Sequence, residues 1–153
     1  MADIEALYRA DYDRFVAVAV MVCGDPDAGR DAVQEGFARA IRSRSSYRGQ
    51  GPLAGWVWRI VVNAARSSAR RPRPDALGTL PERAGAGPGE APEYALLQTL
   101  PVRQRTILFL RYYADMDYRA IADVLEIEVG TVGSTLNAAL AALRREMARK
   151  VAE

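Results

Sequence analysis

The sequence of 153 residues contains no histidine and a single cysteine. Histidine is the side chain that most often transfers protons near neutral pH, and structural zinc sites are built from cysteine and histidine. We therefore expect no histidine-dependent catalysis and no structural zinc site. No other metal site, no cofactor and no catalytic residue are expected either. A lone thiol also excludes an internal disulfide. Cys23 lies in an apolar stretch and is predicted to be a buried structural residue.

Long hydrophobic runs are also missing. The longest covers residues 15–23, whereas a membrane-spanning helix needs roughly 20 apolar residues. The N-terminal segment is polar and acidic, unlike a secretory signal peptide. Half of the residues are hydrophobic and 26% are charged, as in ordinary globular proteins. These features predict a cytoplasmic protein with no membrane insertion.

Strand patterns are nearly absent, and the apolar residues recur at helical spacing instead. Residues 72–92 hold five prolines and four glycines and little apolar surface, which predicts a flexible linker. The expected fold is all-α, with two small helical domains over residues 1–71 and 93–153. Helices are predicted over residues 4–22 (one helix or two joined ones), 27–44, 52–70, 101–113, 117–126 and 130–150.

Positive charge is concentrated in one part of the chain, although the formal net charge is only +2. Residues 1–29 contain two arginines and six acidic residues, which gives a net charge of −4. Residues 30–71 contain nine arginines and two acidic residues, which gives +7. This second segment is expected to attract a polyanion.

A row of polar residues runs along one face of the predicted helix 52–70. It consists of Arg59, Asn63, Arg66 and Arg70, at spacings of 4, 3 and 4 residues. Arginines in such a row can follow a phosphate backbone, and an asparagine amide can read base edges. A solvated arginine face is the alternative interpretation.

The segment that precedes this helix strengthens the nucleic-acid interpretation. Residues 42–48 add cations, hydroxyl groups and a ring, among them Arg44, Tyr47 and Arg48. Single-stranded DNA is commonly bound in this way, because bases stack on rings while cations hold the phosphates. Trp58 lies off the apolar stripe of the helix and is predicted to be exposed to DNA. The stripe itself, predicted to be core, comprises Leu53, Trp56, Val57, Ile60 and Ala64.

The predicted helix 27–44 carries a small polar patch near its N-terminus. Asp31, Gln34 and Glu35 lie on the face opposite its expected core residues. Acidic groups at this end of a helix complement its dipole, so the patch has a purely structural explanation. A docking surface for another helical protein is the functional one. The expected core residues of this helix are Val33, Phe37, Ala40 and Ile41.

The C-terminal part has the pattern of a helix-turn-helix. Residues 118–125 form a short helix, 126–129 a turn and 130–137 the start of the next helix. In this motif the second helix enters the DNA major groove N-terminus first. An ordinary helical hairpin is the alternative. The core between the helices is predicted to comprise Ile121, Ala122, Leu125, Ile127, Val132, Leu136, Leu140 and Leu143.

These motifs, taken together, resemble a known family. The sequence resembles the extracytoplasmic-function sigma factors of bacterial RNA polymerase (sigma-70 family, group IV), over both domains and in the same order. The matching motifs are DAVQEGF at residues 31–37, WVWRIVVN at 56–63, LPVRQR at 100–105, YRAIA at 118–122 and VGTV at 129–132.

The resemblance implies promoter-specific transcription initiation without catalysis by this chain. It implies that RNA polymerase core, through its β′ clamp helices, binds Asp31, Gln34 and Glu35, with Phe37 beneath them. An anti-sigma factor or another regulatory protein is a further implied partner. The −10 promoter element is assigned to Arg44, Tyr47, Arg48, Trp58, Arg59, Asn63, Arg66 and Arg70. The −35 element is assigned to Arg119, Thr131, Gly133, Ser134, Thr135 and Asn137.

One feature departs from the family pattern. Family members usually carry Lys or Arg in the first turns of the last helix, but residues 130–143 contain no charged residue. Each missing phosphate contact lowers the salt dependence of binding by about 0.9 in slope. We favour weak or altered DNA reading over packing of this neutral face against a protein. A sigma-like regulator that acts mainly through protein contacts is the alternative function, and an enzyme is disfavoured.

Overall fold

Seven α-helices account for most of the residues that the computed structural model describes, namely 2–49, 51–70 and 92–152. No strand occurs in these ranges. The prediction of two all-α domains is confirmed, while the predicted linker lies, apart from Pro92, outside the described residues. The first domain contains α1 (Ala2–Cys23), α2 (Pro26–Arg42), a 3₁₀ turn (Arg44–Ser46) and α3 (Leu53–Arg70). The second contains α4 (Pro92–Gln98), α5 (Val102–Tyr112), α6 (Tyr118–Leu125) and α7 (Val129–Ala152).

Side-chain caps fix where two helices begin. The Asp25 carboxylate accepts a hydrogen bond from the Ala28 amide at 2.8 Å, with Pro26 in the first turn of α2. The Asp117 carboxylate does the same for the Ala120 amide at 2.8 Å at the start of α6. Each cap satisfies a backbone donor that has no partner inside the helix. Both caps agree with the sequence-based expectation.

The core of the first domain is built around Phe15 of α1. Its ring stacks on Trp58 at a centroid distance of 3.8 Å and meets Phe37 edge to face at 4.9 Å. Trp58 is only 4% exposed, so its predicted exposure to DNA is wrong. Apolar residues occupy more than half of the circumference of α3. The predicted stripe was therefore centred on one edge of the face that the helix buries. Trp56 lies at that edge and is only half-buried.

Two further core predictions need correction. Ile41 was expected in the core of α2 but is 43% exposed, because it lies one residue beyond Ala40, which faces the seam between helices. Cys23 is half-buried rather than fully buried, and its thiol donates to the Ala65 carbonyl at 3.5 Å. This contact joins the end of α1 to α3.

Two glycines allow the helices of the first domain to approach closely. A Cβ atom at Gly29 would lie 2.7 Å from the Val20 backbone nitrogen of α1. A Cβ atom at Gly36 would lie 2.8 Å from the Val61 Cα of α3. Distances below 3 Å are too short for real contacts of this kind. Because the two glycines are seven residues apart, they lie on one side of α2 and set its distance from both neighbours.

The second domain has its own core beneath the helix-turn-helix. Of the predicted core, Ile121, Ala122, Leu125, Val132 and Leu136 are buried. The other three predicted members, Ile127, Leu140 and Leu143, are half-buried. The two domains also touch, because α1 packs against α5 and α3 packs against α6. None of the helices within the described ranges is long and apolar enough to cross a membrane.

Candidate nucleic-acid interface

The predicted polar row is present on α3. Asn63 and Arg70 are exposed, and Arg59 and Arg66 are partly exposed. The buried positions of the helix, such as Trp58 and Val62, face the opposite way toward α1 and α2. The structure therefore brings these four side chains together on the surface, as the helical spacing predicts.

The 3₁₀ turn, the segment after it and the first turn of α3 place a further cation and two rings beside this row. Arg44 forms an ion pair with Asp3 at 2.8 Å and lies 5.3 Å from the Tyr47 ring centroid. The hydrogen bond from Arg44 is the main cause that lowers the pKa of Asp3 from 3.8 to about 2. Tyr47 donates its hydroxyl to the Gly51 carbonyl, and its ring lies 5.5 Å from that of Trp56. Both rings are half-buried, so their remaining surface is accessible to a ligand.

Trp56 is thus the tryptophan that the structure places at this surface. In the sequence, Tyr47 and Trp56 lie on either side of Gly49 and Gly51. A turn of the chain at these glycines brings the two rings together, and this arrangement is the sequence signal that could have identified Trp56. Both glycines have positive φ angles, 75° and 82°. Backbone of this kind is easily adopted only by glycine. Arg48, next to the turn, is exposed.

The polar patch on α2 is exposed as predicted. Gln34 donates its amide to the Tyr8 hydroxyl at 2.8 Å, and Glu35 pairs with Arg39 at 2.8 Å. Asp31 is exposed at the same face. Phe37 is 4% exposed, so it supports this surface from below and is not itself accessible to a partner.

The predicted −35 residues lie on the outer side of the helix-turn-helix. Arg119, Ser134 and Asn137 are exposed. The Ser134 hydroxyl donates to the Thr131 carbonyl at 3.2 Å, which leaves its lone pairs available. Three members of the set are partly exposed, namely Thr131, Gly133 and Thr135. The exposed face of α7 is therefore neutral until Arg144 and Arg145, more than two turns beyond Ser134.

Contacts between the domains involve one residue of the predicted DNA row. Arg59 donates to the Asp123 carbonyl at 3.1 Å, and its guanidinium lies 3.9 Å from the Glu126 carboxylate. A second pair, Arg14 with Asp115 at 3.7 Å, also links the domains. Sequence reasoning missed these pairs, because residues this far apart in the chain carry no common pattern. In this arrangement Arg59 is engaged by the second domain.

An apolar groove on the second domain was also missed. Its volume is about 310 Å³. Tyr112 and Tyr113 are 59% and 46% exposed at its edge. The consecutive tyrosines are the signal that could have revealed it, because one helix cannot bury two adjacent rings on the same face. The other lining residues are Leu97, Leu108, Phe109, Leu140 and Leu143.

Comparison with known families and proteins agrees with this geometry. The sigma-70 region 2 family matches residues 7–73, and the sigma-70 region 4 family matches residues 93–143. The RNA polymerase sigma-H factor of Pseudomonas aeruginosa is 31% identical over 144 residues, which cover 80% of this chain and 75% of that protein. The chain belongs to the extracytoplasmic-function sigma factors of the sigma-70 family. As a sigma factor, it directs transcription initiation at promoters.

Other relatives cover nearly the whole sigma factor. SigW of Bacillus subtilis is 26% identical over 95% of this chain and 88% of its own length. The sigma factor RpoE of Bartonella quintana, solved with the anti-sigma factor NepR, has a TM-score of 0.74 at 18% identity, over 95% of this chain and 96% of that one. CnrH, solved with the cytosolic domain of CnrY, has a TM-score of 0.76 at 20% identity, over 95% of this chain and 88% of that one. These structures share the fold over both domains.

Proposed function

We propose that this sigma factor captures one strand of the −10 promoter element on the surface formed by α3 and the segment 44–51. The observation that carries this proposal is the row of Asn63, Arg66 and Arg70 beside the ring pair of Tyr47 and Trp56. Cations in such a groove hold the phosphates while bases stack on the rings. A stacked base contributes about 1–3 kcal/mol, and Trp56 takes the role first assigned to Trp58.

The remaining surfaces fit the other steps of promoter binding. We assign Asp31, Gln34 and Glu35 to the contact with the β′ clamp helices of polymerase core, held in place by Phe37 beneath them. The exposed hydroxyl and amide groups of α7, with Arg119 of α6, meet the −35 element. Their neutrality supports weak reading there, because each phosphate contact that is absent removes about 0.9 from the salt slope.

The domain roles follow from these assignments. Residues 1–71 form the −10 and polymerase-binding domain, 72–92 the linker, and 93–153 the −35 domain. The protein acts in the cytoplasm beside the polymerase and performs no catalysis of its own. The solved neighbour RpoE is bound to the anti-sigma factor NepR, and CnrH is bound to the cytosolic domain of CnrY, which supports the proposal that a regulatory protein also binds this chain.

A role mainly through protein contacts is the second candidate function. The surface that favours this function is the apolar groove bordered by Tyr112 and Tyr113, rather than the neutral face of α7. A protein partner gains more from burying this groove, because burial of apolar area contributes about 25 cal/mol per Å². This candidate predicts that variants in the α3 row leave promoter opening unchanged.

Transcription with purified polymerase core tests the first proposal. Arg66→Ala and Asn63→Ala are expected to reduce open-complex formation, Asn63→Ala by about 5- to 150-fold if its amide reads a base. Loss of the Arg66 phosphate contact should also lower the salt slope by about 0.7, the value for single strands. The measurement is promoter melting, detected as a change in the fluorescence of a base analogue in the −10 element.

Arg9→Ala is the matched control for these variants. Arg9 is an exposed arginine of α1, and within the described residues it forms an ion pair only with its helical neighbour Glu5, at 2.6 Å. Its removal is expected to leave promoter melting unchanged. Unaltered melting in both the Arg66 and the Asn63 variants would contradict the assignment of α3 to the −10 strand.

Ser134→Arg tests the neutral −35 surface from the opposite direction. An arginine here adds a cation to an exposed position near the start of α7, so the salt slope of binding to duplex −35 DNA should rise by about 0.9. Met147→Arg is the control, because Met147 is 56% exposed on the same helix but more than three turns away. Equal slopes for the Ser134 variant and the parent protein would argue that α7 does not lie along DNA.

A further inference from the structure

A cavity of about 370 Å³ lies where α3 meets the second domain. Arg66 and Arg70 line it from α3. Arg103, in the first turn of α5, lines it from the other domain. Its apolar lining includes Val102, Leu125 and Ile127. The cavity therefore has walls from both domains and exists as one space only while they are in contact.

The three arginines of this cavity differ from most arginines of the first domain. Arg9, Arg30, Arg39, Arg42, Arg44 and Arg59 each lie within ion-pair distance of a carboxylate. Within the described residues, Arg66, Arg70 and Arg103 form no ion pair, and no described acidic residue lines the cavity. Three guanidinium groups around one space repel each other. An anion placed among them removes this repulsion.

The size and the lining of the cavity narrow the class of ligand. Its volume falls at the lower end of the range for small-molecule sites, about 300–1,000 Å³. Guanidinium groups match phosphate oxygens in a bidentate geometry, and the apolar side chains offer a surface to a flat ring. A DNA duplex, whose major groove alone is about 12 Å wide, is too large for a cavity bounded on both sides. A phosphorylated small molecule with a planar ring satisfies both parts of the lining.

We propose that this cavity binds a nucleoside diphosphate or a close chemical relative, with its phosphates on the three arginines and its base on Leu125 and Ile127. The regulatory part of the inference rests on the proposed function, since Arg66 and Arg70 are also assigned there to the −10 strand. A bound nucleotide occupies these side chains and bridges the two domains. It therefore competes with single-stranded promoter DNA.

Isothermal titration of the full-length protein with ADP, GDP, pyrophosphate and adenosine tests the site directly. Binding of a diphosphate nucleotide is expected, with pyrophosphate weaker and adenosine without measurable affinity. Arg103→Ala should weaken nucleotide binding by about 10-fold or more, as expected for the loss of a charge-assisted hydrogen bond. Arg145→Ala removes an exposed arginine of the same domain outside the cavity and should change the affinity less than twofold.

Three results would overturn the inference. The first is that neither ADP nor GDP binds at millimolar concentration. The second is that the Arg103 and Arg145 variants lose nucleotide affinity equally, and the third is that adenosine binds as tightly as ADP. Circular dichroism of both variants verifies that they are folded. The Arg103 side chain is exposed, so its loss should leave the helical signal unchanged.

Promoter melting by the polymerase holoenzyme separates this inference from the proposed function. Nucleotide that binds the parent protein should inhibit melting, and the Arg103→Ala variant should melt the promoter without inhibition. Nucleotide binding by a protein that melts no promoter would leave the site intact and refute the proposed function. Normal melting that is insensitive to bound nucleotide would refute the competition.

Discussion

Trp58→Ala is expected to destabilise the first domain strongly. The Trp58 ring is 4% exposed and stacks on Phe15, the residue at the centre of the core. Removing a buried tryptophan typically costs about 3–5 kcal/mol, because a large cavity remains where the ring was. The whole free energy of unfolding of a natural domain is often only about 5–15 kcal/mol. Chemical denaturation of the variant should therefore show a midpoint far below that of the parent protein.

Trp56→Ala provides the contrast. Trp56 is half-buried and packs at the edge of the core beside Tyr47, so its removal should destabilise the domain less. Its loss should instead weaken single-stranded −10 DNA binding by about 1–3 kcal/mol, the contribution of one stacked base. If Trp56→Ala proves the more destabilising of the two, the assignment of Trp58 to the core is wrong.

Gly36→Ala is the second substitution with a large expected effect. The added Cβ would lie 2.8 Å from the Val61 Cα, and a backbone atom cannot move aside by a change of rotamer. Helices α2 and α3 must separate instead. Overpacking of this kind costs about 1–3 kcal/mol or more, which exceeds the gain of about 1 kcal/mol in helix propensity. A lower melting temperature, measured by circular dichroism, is the expected result.

Gly55→Ala is the matched control within α3. Nothing lies within 4 Å of a Cβ atom at this position, so only the propensity gain of about 1 kcal/mol remains. The control should therefore melt at a higher temperature than the parent protein. If Gly36→Ala also raises the melting temperature, the close approach of α2 and α3 is not required. Because the proposed polymerase-binding patch lies on α2 and the proposed DNA-binding row on α3, Gly36→Ala should also impair promoter melting.

Helical periodicity was sufficient to predict the all-α fold and most helix ends. Asp25 and Asp117 mark helix starts through local chemistry, which a sequence shows directly. The face that each helix buries was harder to predict, as Trp56 and Trp58 illustrate. Apolar residues surround so much of α3 that only its tertiary partner, Phe15, determines which ring is covered.

The candidate site shows the same division between local and distant information. The row on α3 follows from residues three and four apart, so its shared face could be predicted. The contact of Arg59 with Asp123 and Glu126 joins residues from two domains, and nothing local indicates it. The spacing of Gly29 and Gly36 was a usable signal, since two glycines on one side of a helix often allow close packing.

The engagement of Arg59 by the second domain has a thermodynamic consequence for promoter binding. Its guanidinium cannot donate to the Asp123 carbonyl and to a DNA phosphate in the same position. The DNA contact expected for Arg59 therefore requires the domains to separate. The apparent affinity then equals the intrinsic affinity multiplied by the fraction of molecules already separated. If that fraction is about 1%, the apparent dissociation constant is about 100-fold higher. Any protein that binds only separated domains therefore makes promoter binding tighter, and the two events are positively cooperative.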